Sequence, residues 1–203
     1  MSKQEDLIRT VAESTYKEAI DELGPKFDDL LESRRSVRKY KPDTVIEKET
    51  IEELIEAALQ APSWKNVEAS RYYAVIDPDK VDQLRTTCLP DFNQNSTKDA
   101  AAYIVTAYER GYSGFEKDGT PTNELGDKWG AYDLGLASMN ILLKARDLGL
   151  DTLVMGIRDG QALREMLGIP ASQDLVAVIS VGFRDIDPKK PKRKEIDEVM
   201  KTF

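Results

Sequence analysis

Apolar positions along this chain follow two patterns, helical spacing and short continuous runs. The helical spacing predicts amphipathic helices over residues 47–60 and 129–148. Short apolar runs between polar or glycine residues predict four strands, and the last is apolar on both faces, which indicates a central strand. Strands interleaved with helices indicate an α/β or α+β protein packed in three layers. The predicted strands are residues 72–76, 101–106, 151–156 and 175–181.

The predicted helix 129–148 is apolar over much of its circumference, with Leu136, Met139 and Leu143 on its strongest face. This pattern is typical of a central buried helix. The preceding residues 111–128 contain four glycines and a proline and are expected to form a long loop, named here the glycine-rich loop. Its glycines do not follow a strand in the spacing of a Rossmann or Walker phosphate loop, so neither site is predicted.

The length of 203 residues fits one domain. Within it, residues 1–32 are expected to form an N-terminal helical extension and residues 184–203 a basic C-terminal segment. Apolar spacing in the extension predicts a helix over residues 4–23, and Gly24-Pro25 ends it and starts a second helix. No run near the N-terminus resembles a signal peptide, and none approaches the roughly 20 apolar residues of a membrane span. We therefore expect a cytoplasmic protein without a membrane partner.

Cysteine and histidine usage narrows the possible chemistry. Cys88 is the only cysteine, and the chain has no histidine. These counts exclude an internal disulfide, a zinc site of several thiolates, imidazole metal ligation and a Ser-His catalytic triad. We therefore predict no metal site and assign no catalytic side chain.

Positive charge is concentrated in two short segments of an acidic chain. The first basic segment, residues 34–41, carries five cations and the hydroxyl of Ser36, and the second basic segment, residues 189–194, carries five more. The whole chain has a net charge of −8, so removal of these ten cations would leave −18. The acidic balance argues against non-specific nucleic-acid binding. If the two segments meet in the fold, they form a site for an anion such as a phosphate; otherwise they are solvated charge runs.

Five segments, in order along residues 33–200, resemble the FMN-dependent nitroreductase family. This chain departs from the family pattern after Asn66, where it has Glu68-Ala69-Ser70 in place of the usual Gln-Pro-Trp. The five matching segments are Ser33–Arg38, Ala61–Ser63 with Asn66, residues 133–150, Met155–Ile157, and Gly182-Phe183 with the second basic segment.

This resemblance implies an α+β fold of three α/β/α layers around a central mixed, mainly antiparallel sheet. It also implies a homodimer with one FMN in each of two clefts at the subunit interface. Arg34, Ser36 and Arg193 would bind the phosphate and the ribityl chain. Arg38 would lie near the pyrimidine edge of the ring, where a cation favours the negatively charged reduced flavin.

Further residues acquire expected roles from the same resemblance. Ser63 and Asn66 would hydrogen-bond the ring and the ribityl chain, and Asn93 would approach from the other subunit. A backbone amide at Gly156 or Ile157 would face the flavin N5 atom, because glycine allows close approach of the backbone. Trp64 either stacks near the flavin or packs internally. The full set of expected cofactor-binding residues is Arg34, Arg35, Ser36, Arg38, Pro62, Ser63, Trp64, Asn66, Asn93, Met155, Gly156, Ile157, Lys192 and Arg193.

The expected function is that of an FMN-dependent oxidoreductase. Hydride would pass from NAD(P)H through flavin N5 to a nitroaromatic, a quinone or a similar small electrophile, which requires positioned rings rather than an acid or a nucleophile. Reductive dehalogenation and fragmentation of the reduced flavin are alternatives within the same fold. Two further alternatives are a non-catalytic flavin-binding protein and an α/β protein whose basic segments hold the acidic tail of a partner.

Overall fold

Four antiparallel strands form the middle layer of the protein, in a computed structural model that describes residues 27–203. Their order across the sheet is β1-β2-β4-β3, so β4 is an inner strand, as its two apolar faces predict. A parallel bridge between Ser36 and Thr152 adds the mixed character that was expected. The strands are β1 (Ser70–Val75), β2 (Ala102–Glu109), β3 (Asp151–Met155) and β4 (Gln173–Gly182).

Helices connect these strands and cover both faces of the sheet. The side chain of Asp77 caps the start of α2, and that of Asp159 caps the start of α5, because each accepts hydrogen bonds from first-turn amides. Residues 91–96, a polar segment without a predicted element, form the short helix α3. The named helices are α1 (Lys48–Leu59), α2 (Pro78–Cys88), α3 (Asp91–Ser96), α4 (Lys128–Asp147), α5 (Gly160–Leu167) and α6 (Ile196–Val199).

The sheet separates two apolar cores, which confirms the three-layer α+β architecture. On β2, Tyr103 faces the core formed with α2 and α5, whereas Ile104 faces the core formed with α1 and α4. Both side chains are fully buried, as the alternation of side chains along an inner strand requires. None of the helices within residues 27–203 has the length and apolarity to cross a membrane.

The buried face of α4 differs from the predicted one. Leu134, Ala137 and Ile141 lie against the sheet, whereas the predicted strongest face is only half-buried. Size explains the difference, because Ala137 lets the helix approach the sheet closely although it contributes little hydrophobicity. Leu136, Met139 and Leu143 therefore form a second, partly exposed apolar face.

The N-terminal extension is described only in part. Residues 27–33 are helical, in agreement with a helix beginning after Pro25. The helix predicted over residues 4–23 lies outside the described residues. At the other end, residues 189–203 are exposed.

Candidate cofactor site

The first basic segment runs beside the outer edge of the sheet. The amide of Val37 donates to the carbonyl oxygen of Thr152 in β3, at 3.0 Å. Val37 and Tyr40 are buried, at 0% and 1% exposure, and so anchor the segment in the core. Ser36 lies immediately before Val37, and Arg38 lies between the two buried residues. Both remain exposed. The apolar positions of this segment thus hold the polar ones at the surface.

The residues after β4 return alongside the first basic segment. The amide of Lys41 donates to the carbonyl oxygen of Phe183 at 2.8 Å, and the amide of Asp185 donates to that of Lys39 at 3.0 Å. Gly182 permits this approach, since a Cβ atom there would lie 2.7 Å from the ring of Tyr40. The chain then continues directly into the second basic segment.

The two basic segments meet, as the anion-site hypothesis requires. Between them lies an open cleft of about 390 Å³, named here the anion cleft. Burial, and then the positive charges of Arg193 and Arg35, lower the pKa of the half-buried Arg34. An anion in the cleft would relieve this repulsion. The lining residues are Arg34, Arg35, Ser36, Arg38, Pro188, Lys189, Pro191 and Arg193.

Cations in this region divide into two groups according to their partners. Arg184 pairs with Asp151, Lys39 with Asp185, and Lys190 with Glu32. By contrast, the salt bridges among residues 27–203 include none to the cations that line the anion cleft. These guanidinium and ammonium groups, together with the hydroxyl of Ser36, form a donor set that suits a phosphate group.

A second group of expected residues lies in the loop before β1, named here the 61–68 loop. Lys65, Asn66 and Glu68 have φ angles of 45°, 56° and 50°, in the left-handed region that non-glycine residues rarely adopt. The hydroxyl oxygen of Ser63 accepts from the amide of Glu68 at 3.1 Å, and the side-chain amide of Asn66 donates to the carboxylate of Glu68 at 3.1 Å. Local hydrogen bonds therefore hold a strained conformation, as is common at functional sites.

Asp133 anchors this loop to α4. Its carboxylate, on a residue only 5% exposed, accepts from the amide of Trp64 at 2.9 Å and from the hydroxyl of Ser113 at 2.7 Å. It thus joins the 61–68 loop to the glycine-rich loop. The sequence signal was present, because Asp133 is an acidic residue on the buried face of an apolar helix, but it was not assigned a role.

Trp64 packs against Trp129, with ring centroids 4.8 Å apart. This contact supports internal packing for Trp64, although its buried indole Nε1 atom has no hydrogen-bond partner within residues 27–203.

A wider cleft of about 700 Å³ lies between the two loops. Lys65 bridges them, since its Nζ atom lies 2.9 Å from each carboxylate oxygen of Glu116. Tyr112 and Phe115 contribute aromatic surface to this cleft, with Tyr112 57% exposed. The arrangement can receive a planar molecule between an aromatic wall and a charged rim.

The third group lies at the far end of β3. Met155 is buried and ends the strand, whereas Gly156 and Ile157 are exposed. The side-chain amide of the buried Asn93 donates to the carbonyl oxygen of Ile157 at 3.0 Å, so Asn93 supports this turn within its own chain. A contact from Asn93 to a cofactor of the other subunit stays a prediction.

The three groups of expected cofactor-binding residues, at the anion cleft, the 61–68 loop and the end of β3, lie apart from one another in the folded chain. Ser36 pairs with Thr152, and Met155 lies three residues further along β3, which separates the anion cleft from the strand end by about 10 Å. The 61–68 loop is farther away, because α4 holds it through Asp133 and contacts Ser33 through Arg146. Thirteen residues of helix between these two contacts correspond to about 20 Å. Pro62 and Ser63 therefore lie far from Arg34, and Lys192 does not line the anion cleft.

The fold and the site define a three-layer α+β protein with a cation-lined cleft near an exposed strand end. The chain belongs to the nitroreductase family, whose family model matches residues 31–183. At this level of description it is a flavoprotein oxidoreductase.

Individual relatives carry more specific names. A protein of Archaeoglobus fulgidus, provisionally named NADH dehydrogenase/NAD(P)H nitroreductase, is 31% identical over 158 residues, covering 76% of this chain and 83% of that protein. Iodotyrosine deiodinase 1 of Mus musculus is 27% identical over 202 residues, covering 87% and 69%, respectively. A provisionally assigned nitroreductase of Exiguobacterium sibiricum, solved with FMN, shares the fold with a TM-score of 0.77 at 22% identity, covering 87% and 97%.

Proposed function

We propose that this protein is an FMN-dependent oxidoreductase that uses NAD(P)H to reduce a nitroaromatic, a quinone or a similar small electrophile. The anion cleft carries this proposal, because the cations that line it suit the phosphate of FMN in an otherwise acidic chain. When bound, FMN supplies hydride transfer at its N5 atom. A cytoplasmic location and the absence of a nucleic-acid partner stay predictions from the sequence.

The residues of this chain have defined tasks in that proposal. Arg34, Ser36 and Arg193 hold the phosphate, and Arg35 and Lys189 add positive charge around it. Arg38 lies along the same segment and supplies the cation near the ring. The exposed strand end after Met155, with the amides of Gly156 and Ile157, lies about 10 Å from the phosphate group, which suits the length of a ribityl chain.

A homodimer would complete the site. The 61–68 loop lies about 20 Å from Ser33 along α4, so it would contact a cofactor held by the anion cleft of a second copy. The second apolar face of α4, formed by Leu136, Met139 and Leu143, supports this assembly, because apolar surface of that kind is normally covered. Pro62, Ser63, Trp64 and Asn66 would then approach the flavin from the partner subunit.

Flavin binding tests the cofactor assignment. We expect the purified protein to show a flavin absorption band and to bind FMN. Arg34→Gln and Arg193→Gln should each weaken binding about 10- to 100-fold, the size expected for loss of one charged hydrogen bond. Lys41→Gln is the matched control, because Lys41 belongs to the first basic segment but does not line the anion cleft. A wild-type protein that does not bind FMN, or variants that bind it unchanged, would contradict the proposal.

Reductive dehalogenation is a second candidate, favoured by the similarity to iodotyrosine deiodinase 1. Anaerobic addition of NADPH or NADH, followed by a nitroaromatic, a quinone and a halogenated phenol, distinguishes the reactions. We expect NAD(P)H to bleach the flavin band and the nitroaromatic or quinone to restore it. Restoration by the halogenated phenol alone would favour dehalogenation, irreversible loss of flavin would indicate fragmentation, and no bleaching would indicate a non-catalytic protein.

A further inference from the structure

Asp151, at the start of β3, is a buried carboxylate that the proposed function leaves without a task. Its side chain is 1% exposed. Arg184 contacts it through two parallel hydrogen bonds, Nε to Oδ2 at 2.7 Å and Nη2 to Oδ1 at 2.6 Å. Arg146 approaches the same carboxylate, with Nη1 3.5 Å from Oδ2. Such a bidentate pair fixes the plane of the guanidinium group.

Both arginines also hold Ser33, the residue immediately before Arg34. The Nη2 group of Arg184 donates to the carbonyl oxygen of Ser33 at 3.2 Å, and the Nε group of Arg146 donates to the Ser33 hydroxyl oxygen at 3.2 Å. One carboxylate therefore orients two arginine side chains, and both of them hydrogen-bond the residue that precedes the first basic segment. Neither arginine lines the anion cleft.

Arg184 also lies on the way into the second basic segment. Its Nη1 group is 2.6 Å from the carboxylate of Asp187, two residues before Lys189. The backbone of Arg184 also forms an isolated β-bridge with Tyr40, the buried anchor of the first basic segment. The Arg184 side chain thus contacts Ser33, immediately before the first basic segment, and Asp187, shortly before the second.

We propose that Asp151 is a positioning residue for the anion cleft. Acting through Arg184 and Arg146, it sets the distance between the two basic segments and so lets the cleft discriminate a phosphorylated flavin from an unphosphorylated one. This inference rests on the proposed function, because it assigns the phosphate of FMN to the anion cleft. A buried ion pair with only a structural role would affect all flavins equally.

The test compares affinities for FMN and riboflavin, measured by titration of flavin fluorescence. Asp151→Asn removes the charge that orients both arginines, and we expect it to weaken FMN binding about tenfold or more while riboflavin binding changes less than about threefold. Arg184→Lys keeps the charge but loses the bidentate geometry, so it should weaken FMN binding selectively and to a smaller extent. Asp185→Asn is the control, because it removes an exposed salt bridge to Lys39 beside the same segment and should change neither affinity.

Each outcome has a defined meaning. Loss of affinity for both flavins in equal measure, or unchanged FMN binding in Asp151→Asn and Arg184→Lys, overturns the positioning role. If Asp151→Asn does not fold, Arg184→Lys decides the question alone. A wild-type protein that is stabilised by inorganic phosphate but does not bind FMN overturns the proposed function only, and the variants are then compared by their thermal stabilisation with phosphate. A wild-type protein that binds neither overturns both.

Discussion

Gly130 lies where α4 packs tightly against Tyr108 of β2. A Cβ atom at this position would be 2.3 Å from Cδ2 of Tyr108, a distance at which the ring or the helix must move. The ring cannot turn away freely, because its hydroxyl donates to the carboxylate of Asp174 at 3.0 Å. The contact between helix and sheet therefore depends on the absence of one methyl group.

Gly130→Ala should consequently destabilise the protein. We expect a loss of about 1–2 kcal/mol in the free energy of unfolding, from overpacking that exceeds the gain in helix propensity. Gly135→Ala in the same helix is the matched comparison, because a Cβ atom there meets nothing within 4 Å, and it should stabilise by up to about 1 kcal/mol. Urea unfolding of both variants measures the difference. Equal effects would show that the tight contact at Gly130 is relieved elsewhere.

Individual cations show what the sequence could and could not predict. The charge pattern located the two basic segments but left open whether residues 34–41 and 189–194 meet, and in the structure they line one cleft. The pattern could not show that Lys39 and Lys190 form salt bridges while Arg34 lines the cleft. Their partners, Asp185 and Glu32, are remote in sequence. Which charge is neutralised depends on tertiary contacts, and local sequence does not contain them.

The glycine-rich loop and the 61–68 loop behave as one unit. Lys65 and Glu116 join them at the surface, while Asp133 joins them beneath. The pKa of Glu116 is lowered by its hydrogen bond to Lys65, then by that to Thr122, and further by the charge of Lys65. A carboxyl group whose pKa is lowered in the folded state stabilises the protein at pH values above the ordinary pKa of that group. This stabilisation is lost as the pH falls through the lowered pKa.

Acidification should therefore loosen the two loops before it unfolds the core. We expect the fluorescence of Trp64 and Trp129, the only tryptophans in the chain, to change as the pH falls below the ordinary range of a glutamate. Circular dichroism recorded in parallel should still report intact helices. In Glu116→Gln the transition should be absent, because this side chain does not titrate. The same transition in that variant would assign it to a different carboxyl group.

The elements themselves were easier to predict than their faces. Four strands and the helices α1 and α4 occur within a few residues of the predicted bounds, because their apolar periodicity is strong. The buried face of α4 was predicted wrongly, since hydrophobicity favoured Leu136, whereas the buried face combines Leu134 and Ile141 with the small Ala137. The strand order was not predicted, because it depends on pairing between distant segments.

Buried tyrosines couple the stability of the whole molecule to alkaline pH. Burial raises the pKa of Tyr103 to about 12, and burial together with Asp174 raises that of Tyr108 to about 12. A tyrosine is neutral below its pKa. As the pH rises, these tyrosines therefore lose their protons in the unfolded chain near pH 10, before they do so in the folded protein. The folded state therefore loses stability as the pH rises from about 10 to 12.

Urea unfolding across this pH range should show the decline. Tyr103→Phe should lower stability near neutral pH, because Tyr103 donates to Thr97 at 2.7 Å, but it should reduce the loss of stability between pH 10 and 12 by about 3 kcal/mol. Titration of tyrosine absorbance provides an independent measurement. A decline of equal steepness in both proteins would assign the alkaline sensitivity to groups other than Tyr103.

The length of α4 has a consequence for how this family can diverge. Asp133 of this helix contacts the 61–68 loop, and Arg146 contacts Ser33 beside the first basic segment. The length of the helix therefore sets the distance between these two parts of the site. One inserted residue would shift these parts by about 1.5 Å and rotate them by about 100° relative to each other. Insertions and deletions are therefore expected to accumulate in the flanking loops of its relatives and to be purged from the helix itself.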